Sequence, residues 1–492
     1  HGEPWEPPHE EIRDILEETY GIMVYQEQVM QIAQKMAGYS LGGADLLRRA
    51  MGKKIASEME KQREIFTEGA TARGIPQDKA VEVFDLMARF ADYGFNKSHA
   101  AAYALVSYQT AWMKANHPVA FLAGCMSLAR EKTDKLAALC QEARRMNIKV
   151  LPVDINKSMA DFSIETLEDG RQGIRYALSA IKRVGAAAMD SVVDARGNKP
   201  FQDLTDFAER CDPKSLNKIQ IESLAKSGAF DSLLKDRHTV FSSADILLRR
   251  AQSRAQEQQM GQSGLFGGSG QDREILRLNE GRPWPDFERL SLEASAIGFH
   301  MSAHPLDAYR TVLRRLGVTP SNALENAAKT GTMRVKIAGC VVDKKERPTR
   351  TGKKMAWVNL SDSGGGCEVT LFAETLISCR DLLVAGQAIL VTAELKLDGD
   401  ALRITAQSVM DLETAAAAER SEMRVWLKQM DALPTLSEML AEMRGGHGKV
   451  VFLPSLEETR DVEIALPGTY RVTPRLAERL RTVRGVEKAE QR

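Results

Sequence analysis

The chain has 492 residues, too many for one hydrophobic core, so several domains are expected. Lysine plus arginine equals aspartate plus glutamate at 67 each, so any binding of a polyanion must come from local segregation of charge rather than net charge. At 43% hydrophobic and 27% charged the composition is that of a soluble globular chain, and no apolar run approaches the roughly 18 residues of a membrane span. Six widely spaced cysteines (Cys125, Cys140, Cys211, Cys340, Cys367, Cys379) form no CxxC pair. That argues against a disulfide framework or a zinc site and fits a reducing cytoplasm. The chain opens at His1 without methionine, in a proline-rich turn from Gly2 to Pro8, so a piece of a longer protein is expected.

From Glu10 to about Leu128 the pattern is helical. Val29, Ile32, Ala33 and Met36 fall at i, i+3, i+4 and i+7 and give one apolar stripe. A long helix is predicted from Lys53 to Ala70, ending before Gly74. Another runs through Ala102, Leu105, Val106 and Tyr108, capped by Asn96 or Ser98 and stopping before Pro118. Two short segments stand out here, Arg48-Arg49-Ala50-Met51-Gly52-Lys53-Lys54 and Tyr93-Gly94-Phe95-Asn96-Lys97-Ser98-His99. Five cations and one imidazole, each set broken by glycine, suit phosphate oxygens, because arginine grips two at once. The same clusters also fit two solvated helix faces.

A helix from Thr133 to Asn147, capped by Thr133 or Asp134, precedes strand-like runs at Lys149-Leu151, Phe162-Ile164 and Ile174-Tyr176, which predict a small mixed α/β insert. Two helix–turn–helix units follow between Leu178 and Leu234, with turns at Ile181 to Gly185 and Lys226 to Phe230. A glycine that opens a helix N-terminus presents backbone N–H groups to a DNA phosphate without reading the base. On that basis Lys182, Arg183, Gly185, Lys226 and Gly228 are candidate duplex contacts. Arg183 occupies the turn position where such motifs carry their first glycine, and ordinary helical-hairpin packing explains either unit as well.

Composition breaks at Gln252 to Asp272, rich in Gln, Ser and Gly, where a linker is expected. Inside it lies Gln262-Ser263-Gly264-Leu265-Phe266, an apolar pair with no core of its own, suited to a partner's pocket. From Gly331 to Leu412 apolar residues alternate with period two. Val335 and Ile337, then Trp357, Val358 and Leu360, then Val369 and Leu371, then Ile389 and Val391, then Leu402 and Ile404, predict five strands closing into an OB-fold. The first hairpin tip, Lys344 to Lys354, holds six basic residues against one acid. Lys344, Lys345, Arg347, Arg350, Lys353 and Lys354 are therefore candidate contacts to single-stranded nucleic acid. Trp357 and Phe372 either offer stacking faces to unpaired bases or fill the barrel core. A helical connector from Glu413 to Glu422 leads to a last α/β segment.

Several of these phrases resemble the bacterial C-family replicative DNA polymerases, the DNA polymerase III alpha-subunit family. They are Tyr20-Gly21-Ile22-Met23-Val24-Tyr25-Gln26-Glu27-Gln28-Val29-Met30, Leu46 to Lys54, Tyr93 to Ala100, Ala102 to Ala111 and Gly298-Phe299-His300-Met301-Ser302-Ala303-His304-Pro305-Leu306. The resemblance covers about residues 10 to 310, continues through the OB-fold and fades beyond Glu413.

It implies a multidomain chain. Mainly α polymerase fingers with a small α/β insert would span 1–177, a helix-hairpin-helix DNA-binding region 178–250, and a flexible linker with a clamp-binding motif 251–272. A helical connector would span 273–330, the β-barrel OB-fold 331–412, and a small C-terminal α/β segment contacting the clamp loader 413–492. Arg48 and Arg49 would meet the incoming nucleotide's triphosphate, flanked by Lys53 and Lys54, with Asn96, Lys97, Ser98 and His99 lining the same pocket. Gln262, Leu265 and Phe266 would bind the sliding clamp, and the barrel, with Trp357, would meet single-stranded template.

The implied partners are DNA primer-template, a deoxynucleoside triphosphate, the sliding clamp, a clamp-loader subunit and, through a part outside this sequence, a proofreading exonuclease subunit; no membrane partner is implied. The implied activity is DNA-directed DNA synthesis. Phosphoryl transfer of this kind uses two metal ions held by aspartates, which the family keeps in a palm N-terminal to the fingers. Phosphoesterase, palm and thumb domains thus fall outside this sequence. No cofactor is expected on it, with Mg2+ expected in the palm, and no primer extension is expected from it alone. Asp398-Gly399-Asp400 reads instead as a hairpin turn. His300 and His304 share ligand-like spacing, but Pro305 disfavours a helix through them, so no metal ligand is assigned.

Other functions compete. A non-catalytic DNA- and clamp-binding scaffold would lack the nucleotide pocket. An error-prone C-family polymerase is disfavoured by the wording of Asn96 to His99 and the intact Gln262 to Phe266 segment. An anticodon-binding OB-fold on a synthetase fails for want of a nucleotide-activation motif.

Overall fold

Val29, Ile32, Ala33 and Met36 lie on one face of α1 (Gln26–Ala37), and all four are buried, as their spacing requires. They pack with Leu47 of α2 (Leu41–Lys53), Phe66 and Ala70 of α3 (Ala56–Thr71) and Phe84 and Met87 of α4 (Gln77–Phe90). Gly69 allows α3 to cross α1 closely, since a Cβ there would lie 2.3 Å from the Ala37 carbonyl oxygen. A fifth helix, α5 (Lys97–Asn116), is capped by the Asn96 side chain, which accepts from the His99 N–H at 2.8 Å.

The structure, a computed structural model, describes residues 4–53, 56–90, 94–259, 276–331, 333–348, 352–399, 401–455 and 462–492. It divides into two units, His1–Pro118 and Val119–Arg492.

In the second unit the helix Pro118–Leu128 is followed by α6 (Thr133–Arg145). Thr133 is the first helical residue and Lys132 the cap, without a side-chain bond, so neither expected capping residue acts as one. The small insert is present: β1 (Val150–Leu151), β2 (Ser163–Thr166) and β3 (Gln172–Arg175) form a three-stranded sheet in the order β1-β3-β2. Its core continues through α7 (Ala186–Arg196), α8 (Lys218–Ser227), α9 (Arg237–Ser242) and α10 (Ala244–Gln259). Gln252 to Gln259, expected at the start of a linker, are instead helical in α10.

After α11 (Asp286–Ile297) the chain forms a closed barrel in the order β4-β5-β6-β8-β7. The strands are β4 (Arg334–Pro348), β5 (Lys354–Asp362), β6 (Gly365–Leu371), β7 (Ala388–Asp398) and β8 (Ala401–Asp411). Val335, Ile337, Val358, Leu360, Val369, Leu371, Ile389, Val391 and Ile404 fill it. This is the five-stranded OB-fold that period-two alternation predicts. Asp398 and Ala401 pair across the β7–β8 hairpin, and Gly399 has φ +61°, so this stretch is a turn; Asp400 lies outside the described residues. Helix α12 (Leu412–Ala418) then leads to a four-stranded sheet, order β11-β10-β9-β12, made by β9 (Glu422–Leu427), β10 (Arg444–Pro454), β11 (Ile464–Ala465) and β12 (Val486–Gln491). Against it pack α13 (Leu433–Ala441) and α14 (Pro474–Arg481), through Leu436, Leu440, Leu476 and Leu480.

Candidate nucleotide and nucleic-acid surfaces

The two cation-bearing segments of the first unit, well separated in sequence, meet across Gln26. A parallel bridge joins Tyr25 to Phe95, with Gln26 N–H donating to Phe95 O at 3.0 Å and Phe95 N–H to Val24 O at 2.9 Å. The Gln26 side-chain amide then works in both directions. Its Nε2 donates to Gly94 O at 3.0 Å, and its Oε1 accepts from Arg48 Nη1 at 3.1 Å. Gln26, Val29, Arg48, Arg49, Met51, Gly52 and Gly94 enclose a cleft of about 220 Å³. Gln26 was not singled out from the sequence, where an isolated glutamine at a helix start carries no signal.

Asp45 was also missed, although its spacing to Arg48 and Arg49 was readable. Its Oδ1 accepts from Arg48 at 2.7 Å and its Oδ2 pairs with Arg49 at 2.8 Å. Bonding to Arg48 above all holds the Asp45 carboxyl below the usual carboxylate range, with Arg49 adding to the effect. The cleft thus holds two guanidiniums partly balanced by one half-buried carboxylate. An entering phosphate would compete with that carboxylate for the same donors.

The second segment acts mainly through backbone placement. Lys97 donates its backbone N–H to Glu27 at 2.9 Å and its Nζ to Glu18 at 2.6 Å, and its ammonium lies over the Tyr25 ring. His99 packs between Phe95 and Tyr103, at ring separations of 5.7 and 4.4 Å, and Ser98 is exposed. Lys54 and the Lys53 side chain lie outside the described residues. Helix α5, which this segment starts, buries none of its residues, and Tyr103, Leu105, Val106, Tyr108 and Trp112 all stand exposed.

In the second unit the two hairpin turns differ. In the first, Arg183 adopts φ +66°, the left-handed conformation that the motif's glycine ordinarily supplies, and Gly185 is the N-cap of α7. Lys182, Arg183 and Gly185 are all exposed. A 3-10 turn at Leu178–Ala180, rather than a full helix, precedes them.

The second turn departs from expectation. Gly228 closes α8 as a left-handed C-cap at φ +84°, its N–H already bonded to Ala225 and Leu224 carbonyls. It is buried, and a Cβ there would strike Arg237. Lys226 lies half-buried with its ammonium 4.9 Å from the centre of the Phe241 ring. This turn packs helices, and its Gly228 N–H is already engaged and not open to a phosphate.

On the barrel, β4 and β5 pair as a ribbon out to the hairpin tip, with Lys344 opposite Val358, Lys345 opposite Trp357 and Pro348 opposite Lys354. Lys344, Lys345, Arg347, Lys353 and Lys354 are exposed; Arg350 lies outside the described residues. Glu346, the one acid of the tip, is turned to Arg380 at 2.5 Å and Lys344 at 3.7 Å. Trp357 alternates with buried Ala356 and Val358, so it stands on the outer face, half-buried beside Lys345, and does not fill the core. Phe372, at the end of β6, is more than half exposed. Basic side chains beside accessible aromatic faces on one barrel are the ingredients of single-strand binding. Gln262, Leu265 and Phe266 lie outside the described residues.

Family comparisons agree with this layout. Residues 1–74 match the bacterial DNA polymerase III alpha subunit finger domain, 147–240 a helix-hairpin-helix motif and 335–412 an OB-fold nucleic acid binding domain. Over 98% of its length the chain is 42% identical to the DNA polymerase III subunit alpha of Caulobacter vibrioides and 37% identical to that of Escherichia coli K12, covering 42% of each. It is 43% identical to that of Neisseria meningitidis serogroup B over 84% of this chain and 36% of the relative. The chain therefore spans about two fifths of the length of the curated relatives it matches.

Proposed function

We propose that the chain belongs to the bacterial DNA polymerase III alpha-subunit family and that it supplies the nucleotide- and DNA-holding surfaces of a replicative, DNA-directed DNA polymerase. One observation carries the reading most: Gln26 joins Arg48 to the Gly94 segment, so two distant cationic phrases form one cleft. There the arginines would grip the triphosphate of a deoxynucleotide. The Arg183–Gly185 turn would hold duplex product by its backbone, and the barrel ribbon would run along single-stranded template.

Magnesium takes carboxylate and other oxygen ligands. Among the described residues no group of three carboxylates is gathered, and Asp398 is paired with Arg403 at 2.5 Å. These residues do not fit Mg2+, so no step through it is assigned to them. The reacting metals would sit in the additional length that the relatives carry. Helix α5 supports that arrangement. A 20-residue helix with six large exposed apolar side chains, Met113 among them, is poorly stable in water, and it starts at the rim of the nucleotide cleft. The catalytic palm would cover it.

Neutralising Lys344, Lys345, Lys353 and Lys354 tests the template surface. Each lost phosphate contact removes about 0.7 from the slope of log affinity against log salt for a single strand, so the slope should flatten by up to about 3. Fluorescence anisotropy with an oligonucleotide measures this, and an unchanged slope would put the strand elsewhere. The clamp would be bound by Gln262, Leu265 and Phe266, with a clamp loader and an exonuclease subunit as further partners. Replacing Leu265 and Phe266 with alanine should abolish clamp pull-down while leaving DNA affinity within about twofold, because an apolar anchor dominates such short-segment binding. Loss of DNA affinity instead would mark the segment as structural.

A further inference from the structure

We propose that His300, His304 and Cys340 form a binding site for one transition-metal ion of the zinc class, clipping the segment after α11 onto strand β4 of the barrel. The proposal is independent of the polymerase reading.

The two histidines come from the short stretch between α11 and the 3-10 turn Pro305–Tyr309, and the thiol from β4. One donor atom from each lies within 4.8 Å of the others. A tetrahedral ion with ligands at about 2.0–2.3 Å spaces its donors about 3.3–3.8 Å apart, so closing the site needs movement of about 1 Å. The imidazoles meet edge to face at 4.8 Å between ring centres. A second observation points to a ligand. His300 Nδ1 is buried and has no hydrogen-bond partner, a state that ordinarily costs stability.

His304 is already oriented for the role. Its Nδ1 accepts from the Leu306 N–H at 3.2 Å and its Nε2 shares a hydrogen with Ser361 Oγ at 3.2 Å. A metal on Nδ1 would displace the long Leu306 contact, and Nε2–H would donate to Ser361 Oγ and keep the ring in place, as outer partners of metal-bound histidines do. Cys340 is buried, and an ordinary thiol carries its proton at neutral pH. Binding forms the metal–sulfur bond, breaks the S–H bond and releases that proton to solvent. Two imidazoles and a thiolate select zinc, cobalt or copper over magnesium or calcium. The site borders a cavity of about 810 Å³ that also reaches Arg144, Lys182, Asp362 and Arg475, leaving a fourth position for water or an anion.

The test uses the full chain, stripped with chelator and titrated with Co2+ as a spectroscopic stand-in for zinc. One cobalt per chain should bind with a sulfur-to-metal charge-transfer band in the near ultraviolet. Cys340→Ser should lose that band, and His300→Phe should weaken affinity at least about 10-fold. Zn2+ should raise the unfolding temperature of the wild type and leave that of His300→Phe unmoved. No sulfur band, or a band and affinity unchanged by both substitutions, overturns the site. If Cys340→Ser does not fold, His300→Phe decides alone, because its ring fills a similar volume and the cobalt affinity and melting shift are read directly.

Discussion

Replacing Arg48 and Arg49 together with alanine is expected to reduce photocrosslinking of a deoxynucleoside triphosphate on the order of 100-fold. Each guanidinium can make charge-assisted hydrogen bonds worth about 1.5–3 kcal/mol to a phosphate, and two such losses reach that scale. Both arginines line the cleft, and both pair with Asp45. The companion substitution Asp45→Asn has the opposite expected sign. It removes the competing carboxylate while keeping a similar shape, so nucleotide affinity should rise a few-fold. Equal labelling of wild type and the double arginine variant would remove the pocket from this cleft.

Arg237→Ala is expected to cost about 3–5 kcal/mol of stability, because it strands a buried charge. Arg237 donates to Asp231 at 2.7 Å, to Glu293 at 2.9 Å and to the Lys226 carbonyl at 3.2 Å. Glu293 is 1% exposed and also accepts the N–H groups of Met301 and Ser302, at 3.2 and 2.8 Å. One ion pair thus joins the end of α8, helix α9 and α11 to the stretch that carries His300 and His304. Chemical denaturation measures the loss. A change under about 1 kcal/mol would mean that water reaches Glu293, and the pair is not the fastening it resembles.

How much of this was legible in the chain depends on the range of the physics. The barrel was readable because period-two alternation is a local consequence of strand geometry. The same parity settles Trp357: if Val358 and Leu360 point inward, their neighbour points out, a step the composition-based choice between stacking and core did not take. Arg183 was readable as an oddity at a glycine position, yet only the backbone shows that it takes the left-handed conformation itself.

Gly228 misled because a glycine after a helical run serves equally as a C-cap, and the sequence pattern does not say which helix it belongs to. Thr133 misled similarly, since a good capping residue can sit one place inside the helix. What the sequence could not show was tertiary. Gln26 reaches Gly94 across 68 positions, and Cys340 reaches His300 and His304 by the folding of β4 against a connector.

The most direct test of the account is primer extension by the purified 492-residue chain with all four deoxynucleotides and Mg2+, run beside a binding assay on the same primer-template. The prediction is salt-sensitive binding with the primer left at its starting length. Extension that scales with the amount of this chain, free of contaminating polymerase, would show that the carboxylates for phosphoryl transfer lie within it after all.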